Sequence, residues 1–169
     1  MNILDSSVVI LFLYDIDAKR YLELLKRDGE NFSIPESVYD EILDDNTQTK
    51  LDYLIVNGII QKIYTDEDNN KNQIMRRFPA LGNGEINVLV CARHMKETGS
   101  ANFICVIDES PGRKAAKKLG LPLTGSIGLI KMLKKKQLIN KLELQQLVDA
   151  IRQSPFFVCE ETLREVLSG

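Results

Sequence analysis

Four acidic residues stand where an alternating strand-and-helix chain could gather charge: Asp5, Glu41, Glu85 and Asp108. Asp5 closes the short run Asn2-Ile3-Leu4, and Asp108 follows the apolar stretch Ile104 to Ile107. In an open parallel sheet the ligand lies beyond the carboxyl ends of the strands, so an acid ending a strand is a candidate for chemistry. Each position also has an ordinary explanation. Asp5 or Asp108 could cap the next helix, although Ser6 and Ser110 stand close enough to take that role. Glu41 lies three residues past Val38, at the margin of the helix face formed by Val38, Tyr39, Ile42 and Leu43. Glu85 follows Gly84 in a first helical turn, where the helix dipole favours a carboxylate without further function.

Carboxylates brought within a few ångströms repel one another, so some hold protons unless a cation neutralises them. Hard divalent cations take oxygen ligands, and Mg²⁺ uses one or two carboxylates while keeping several waters. Such an ion polarises a phosphate and lowers the pKa of an attacking water. No nucleophilic side chain is then required. None stands out: His94 is the only histidine, and no Cys/His or Ser/His pairing is evident.

The elements that must position these acids alternate in the manner of a parallel sheet flanked by helices, an α/β fold. Strands are predicted at Asn2 to Asp5, Phe32 to Ile34, Ile59 to Tyr64, Phe103 to Asp108 and Leu121 to Leu123. Helices are predicted from Ser7 to Leu13, Ala18 to Lys26, Glu36 to Asp44, Thr47 to Asn57 and Glu85 to Glu97. Later ones span Ser110 to Leu119, Ser126 to Lys136, Lys141 to Gln153 and Glu160 to Leu167. Asp66 to Lys71 reads as a polar loop, Ile74 to Phe78 as a helical turn, and Gly82-Asn83-Gly84 as a break.

Composition sets the outer limits. The chain has 169 residues, 44% of them hydrophobic, and a formal net charge of −2. That is the size of one ordinary domain and argues against disorder. No apolar run approaches the roughly 18 to 20 residues that span a bilayer, and Asp5 interrupts the N-terminal apolar stretch, which argues against a secretory signal. Three widely spaced cysteines, Cys91, Cys105 and Cys159, form no CxxC and read as buried thiols of a cytoplasmic protein. Charge is unevenly spread. Ser110 to Lys141 holds nine basic residues and no acid, which leaves −11 on the remainder. A solvated helix face explains such a run; so does a surface that holds a polyanion near a carboxylate site.

Taken together, the four acids resemble those of the PIN-domain nucleases. The match runs through Leu4-Asp5-Ser6-Ser7-Val8-Val9, Ser37 to Ile42, Leu81-Gly82-Asn83-Gly84-Glu85 and Val106-Ile107-Asp108-Glu109. It continues through Gly112 to Ala116 and Gly120 to Ser126. The ending is similar to a prokaryotic PIN-like branch related to VapC-type toxin ribonucleases. The resemblance implies a three-layer α/β/α fold over 1–169, with its core at about 2–133 and a helical extension at 134–169. It implies a ribonuclease dependent on Mg²⁺ or Mn²⁺, with Asp5, Glu85 and Asp108 as metal ligands and Glu41 as a fourth catalytic acid. Substrate contacts are assigned to Ser6, Arg113, Lys114 and Thr124, with helix capping the alternative for Ser6 and Thr124. RNA, an antitoxin protein and a second copy in a homodimer are the implied partners. Two features depart from the pattern: Glu109 stands where an aspartate often follows the fourth acid, and the tail beyond Lys134 falls outside it.

Other phosphate chemistries fit less well. A haloacid-dehalogenase-type site wants a second aspartate where Ser7 stands, and a receiver domain wants an acidic pair at the first strand end. A Toprim-type site wants Asp-x-Asp, whereas Glu109 and Ser110 follow Asp108. The remaining rival is a PIN-fold binding module that keeps its acids but acts through a partner.

Overall fold

A computed structural model describes residues 1–64, 68–100 and 102–168, with backbone alone at 68 and 69. Its five-stranded sheet is parallel throughout, in the order β3-β2-β1-β4-β5. The strands are β1 (Asn2–Leu4), β2 (Phe32–Pro35), β3 (Ile60–Ile63), β4 (Ile104–Val106) and β5 (Leu123–Thr124). Residues of β1 and β2 are buried along their whole length, as expected of a parallel sheet covered on both faces. This is the predicted α/β/α architecture.

The first helix, α1 (Ser6–Ile10), starts as Val8 and Val9 donate their N–H groups to the Asp5 carbonyl. It then widens into a π-helical turn over Leu11–Asp15, closed by Ile16 N–H donating to Leu11 O at 3.1 Å. Helices α2 (Lys19–Arg27), α3 (Glu36–Asp40), α4 (Asp45–Val56) and α5 (Asp68–Arg77) follow. The helix predicted from Glu36 to Asp44 stops at Asp40, and the one predicted from Thr47 starts two residues earlier, at Asp45. Glu41 ends the first, and Asp44 caps the second by accepting from the N–H and hydroxyl of Thr47 at 2.8 and 2.6 Å. Most of the polar loop predicted over 66–71 is also corrected. Asp66 and Glu67 lie outside the described residues, and the ten-residue α5 begins at Asp68, replacing the single turn expected at Ile74 to Phe78.

Helix α6 (Asn83–Glu97) is the core helix. Gly84 through Ala92 are all buried, and it packs against β1, β2 and β4. The predicted break falls at Gly82, the N-cap, and the helix starts two residues earlier than expected, with Gly84 inside the first turn. The remaining helices are α7 (Ser110–Lys118), α8 (Ser126–Lys135), α9 (Lys141–Gln153) and α10 (Glu160–Ser168). Cys91 and Cys105 are buried and Cys159 is exposed, which corrects the expectation of three buried thiols. No described helix is long and apolar enough to cross a membrane.

Candidate metal and phosphate site

Strands β1 and β4 are neighbours at the centre of the sheet, so the chain leaving each of them, at Asp5 and Asp108, emerges side by side. Strand order diverges in both directions from this point, the place where α/β sheets open a ligand crevice. The N-terminus of α6 delivers Glu85 there, and the end of α3 delivers Glu41.

Asp5 is 1% exposed. Its Oδ2 accepts from the Ser7 hydroxyl at 3.1 Å, and its Oδ1 is buried without a hydrogen bond of ordinary geometry. Burial is the main reason its pKa rises to about 7; the Ser6 N–H and Ser7 hydroxyl pull it down, while Glu85 and Glu41 push it up. Glu85 repeats the arrangement. Its Oε2 accepts from the Gly82 N–H at 3.0 Å, closing a capping box, and its Oε1 is buried without a hydrogen bond of ordinary geometry. Burial again raises the pKa most, with Glu109 and Glu41 adding to it. The N–H groups of Gly82 and Gly112 lower it. Each acid is therefore held by one oxygen and presents the other. Glu41 is tied across helices, accepting from the Gly84 N–H at 2.7 Å.

Glycines make room for these carboxylates. A Cβ on Gly84 would stand 2.5 Å from Glu41 Oε2. One on Gly112 would collide with Glu85 Oε1 and lie 2.9 Å from Ile107 Cγ2. These are close-approach glycines, chosen for the absent side chain.

Asp108 has another occupation. It accepts from the N–H of Ser126 at 2.8 Å and from the Ser126 hydroxyl at 2.5 Å, joining the end of β4 to the start of α8. Burial raises its pKa, countered by those two bonds and by Arg113. The acid whose charge bears on Glu85 is the next residue, Glu109, at the N-cap position of α7. Arg113 is also occupied: its Nη1 donates to the carbonyls of Ile107 at 2.7 Å and Thr124 at 3.1 Å, clamping β4 to β5. The Thr124 hydroxyl packs on Gly128 of α8, where a Cβ would collide with it. Ser6 contributes its N–H to Asp5, whereas the hydroxyl bound to Asp5 belongs to Ser7. Lys114 is exposed on α7.

The structure thus gathers Asp5, Glu41 and Glu85, adds Glu109 and Ser7, and gives Asp108, Arg113 and Thr124 structural bonds. Two consecutive acids at a strand end were a visible sign of Glu109. Nothing local marked Ser126, which lies 18 residues from its partner.

Among the described residues no three His, Cys, Asp or Glu side chains are grouped closely enough to hold a metal ion between them. Two bare buried carboxylate oxygens fit a different kind of site. Mg²⁺ takes one or two carboxylates and leaves its other positions to water and phosphate, so an open acidic edge suits it.

No curated protein and no solved structure matches the chain. A family model does, over residues 1–169, and its description is PIN domain. PIN domains are in general nucleases and usually use divalent metals. With the parallel sheet and the acids at its carboxyl end already in place, that full-length match shows that the chain belongs to the PIN domain family.

Proposed function

We propose that this protein is a PIN-type endoribonuclease that hydrolyses RNA phosphodiester bonds with Mg²⁺ or Mn²⁺. One observation carries the reading: Asp5 Oδ1 and Glu85 Oε1 are buried carboxylate oxygens without a hydrogen bond of ordinary geometry, and the Glu85 charge bears on Asp5 at the switch point of the sheet. An unpaired buried carboxylate is costly, and such sites persist where an ion or reaction uses them. Asp5 and Glu85 would hold the cation, with Glu41 and Glu109 adding negative charge around it. A bound divalent ion supplies charge neutralisation at phosphate and an acidified water.

The chain's own groups do the rest. Ser7 and Gly82 aim the two ligands through their second oxygens. Gly112 lets Glu85 approach and turns its N–H toward that carboxylate. Exposed Lys114, one turn along α7, is the side-chain cation assigned to phosphate. Asp108, expected from the sequence to be a third ligand, acts in this reading as the positioning group that locks β4 to α8. Arg113 supports the same corner.

The resemblance to VapC-type proteins extends the proposal to a cytoplasmic toxin of a toxin–antitoxin pair, acting as a homodimer and silenced by a protein that covers the acids. Cleavage of mixed single-stranded RNA with Mg²⁺ or Mn²⁺, abolished by chelator and in Asp5→Asn, tests the activity. Metal-independent cleavage, or none at all, would refute it. Sedimentation at micromolar concentration tests the dimer, and a monomer there counts against the VapC-type assignment.

A further inference from the structure

A second feature adjoins Glu41. Between the π-helical turn and the α3–α4 connection lies a cleft of about 180 Å³, walled by Ile10, Tyr14, Ile42 and Leu43 and bordered by Glu41. Three of these apolar side chains face solvent: Ile10 is 36% exposed, Tyr14 59% and Leu43 86%. Its polar members are already engaged. Asp44 is bonded to Thr47, and Glu41 Oε1 is turned to the Gly84 N–H. The walls are thus apolar, with an acid of the candidate site at one edge.

The backbone that carries Tyr14 is unusual as well. Leu11–Asp15 is wound as a π-helix, burying Leu11, Phe12 and Leu13 while leaving Tyr14 outside. π-Turns inside α-helices occur frequently at functional sites. The volume is below the roughly 300–1,000 Å³ of clefts that enclose a whole drug-sized ligand. It suits one flat ring of a longer chain whose polar part lies next door.

We propose that this cleft is a nucleobase subsite: an unpaired base of single-stranded RNA stacks on Tyr14, flanked by Ile10 and Leu43, while its strand runs past Glu41 to the acidic edge. The inference rests on the ribonuclease reading and names the substrate class. Stacking on an aromatic ring is tolerant of sequence because every base has a π-face. A base inside a duplex is already stacked and cannot enter. The subsite therefore selects single strands without selecting a sequence.

The test compares wild type, Tyr14→Phe, Tyr14→Ala and Leu43→Ser on three probes: a single-stranded RNA 12-mer, the same strand with abasic positions, and its duplex. Tyr14→Ala is expected to weaken single-strand binding by about tenfold, as loss of one stacked base does. It raises KM more than it lowers kcat. Tyr14→Phe keeps the affinity, and abasic or duplex RNA does not distinguish the variants. Leu43→Ser, at a position 86% exposed, gives a smaller loss in the same direction and covers the case in which Tyr14→Ala misfolds. Equal single-strand affinity in wild type and both truncated variants, with melting temperatures unchanged, would overturn the proposal. Loss of self-association without loss of RNA affinity would overturn it too, assigning the cleft to a second copy. Wild type that cleaves RNA independently of Tyr14 sinks this inference alone. Wild type that binds RNA through Tyr14 but never cleaves it sinks the ribonuclease reading and leaves the subsite standing.

Discussion

At the carboxyl end of the sheet, Asp5 and Glu85 are buried and each leaves one oxygen unbonded. On α8 and at its C-cap, Lys131, Lys134 and Lys136 are at or near the surface and all three have partners. Lys131 meets Glu165 at 3.3 Å, Lys134 donates to the Val166 carbonyl at 2.7 Å, and Lys136 bridges Asp28 and Glu30 at 2.6 and 2.8 Å. The lysine run is the denser charge, yet its bonds hold α8 to α10 and to the end of α2. The acids are fewer, and their repulsion opposes the metal-free fold. Unmet bonding capacity in a buried place marks a working site better than charge density does.

The largest effect expected from that contrast is on turnover. Asp5→Asn should lower metal-dependent cleavage by at least roughly a thousandfold, about 4 kcal/mol of barrier. The same change should leave the metal-free melting temperature equal or higher, because it removes a buried repelling charge. Lysine substitutions on α8 should do neither. A cleavage assay beside thermal unfolding reads both outcomes; a strongly destabilised Asp5→Asn protein with normal metal response would break the comparison.

Next in size is pH dependence without metal. The Asp5 pKa is raised from 3.8 to about 7, so the folded state holds this proton longer than the unfolded chain. Its contribution to stability is then full below about 3.8 and is lost as pH climbs to about 7, amounting to roughly 4 kcal/mol. Denaturant titrations of wild type and Asp5→Asn isolate the effect from other acids. The difference between the two proteins should change in that window and shrink when Mg²⁺ is added. A wild type whose stability relative to the mutant rises with pH would contradict the sign.

A smaller contrast separates neighbours. Asp108→Asn disturbs the bonds to Ser126 and should cost about 1–3 kcal/mol of metal-free stability. Glu109→Gln should cost none, since it relieves repulsion on Glu85, and should reduce the melting shift produced by Mn²⁺. The reverse pattern would return Asp108 to the metal.

The smallest effect concerns RNA binding. Lys114→Ala should reduce the slope of log affinity against log salt by about 0.7, one phosphate contact on a single strand. Replacing Lys134, Lys135 and Lys136 together should leave that slope unchanged and lower stability only slightly, as exposed ion pairs do. A larger slope change in the triple variant would place the RNA on α8.

Much of this was visible in the chain itself. Short apolar runs ended by Asp5 and Asp108, alternating with helical stretches, determined a parallel α/β sheet, because strand and helix periods are local properties. The Gly-x-Gly-Glu start of α6 placed Glu85 in a first turn for the same reason. The end of α3 was less legible: the apolar period through Ile42 and Leu43 runs on to Asp44, but the helix stops at Asp40 and Asp44 instead caps α4 through Thr47.

What the tertiary structure alone decided is where each carboxylate spends its lone pairs. Asp5 and Asp108 look equivalent in sequence, each ending a central strand. Packing puts Ser126 beside Asp108 and leaves Asp5 Oδ1 without a hydrogen bond of ordinary geometry, so one acid becomes a bracket and the other keeps an open oxygen. The same holds for Lys136, whose partner Asp28 is 108 residues away. Hydrogen-bond partners at such separations depend on how whole elements dock, and a local pattern of residue types carries no record of that.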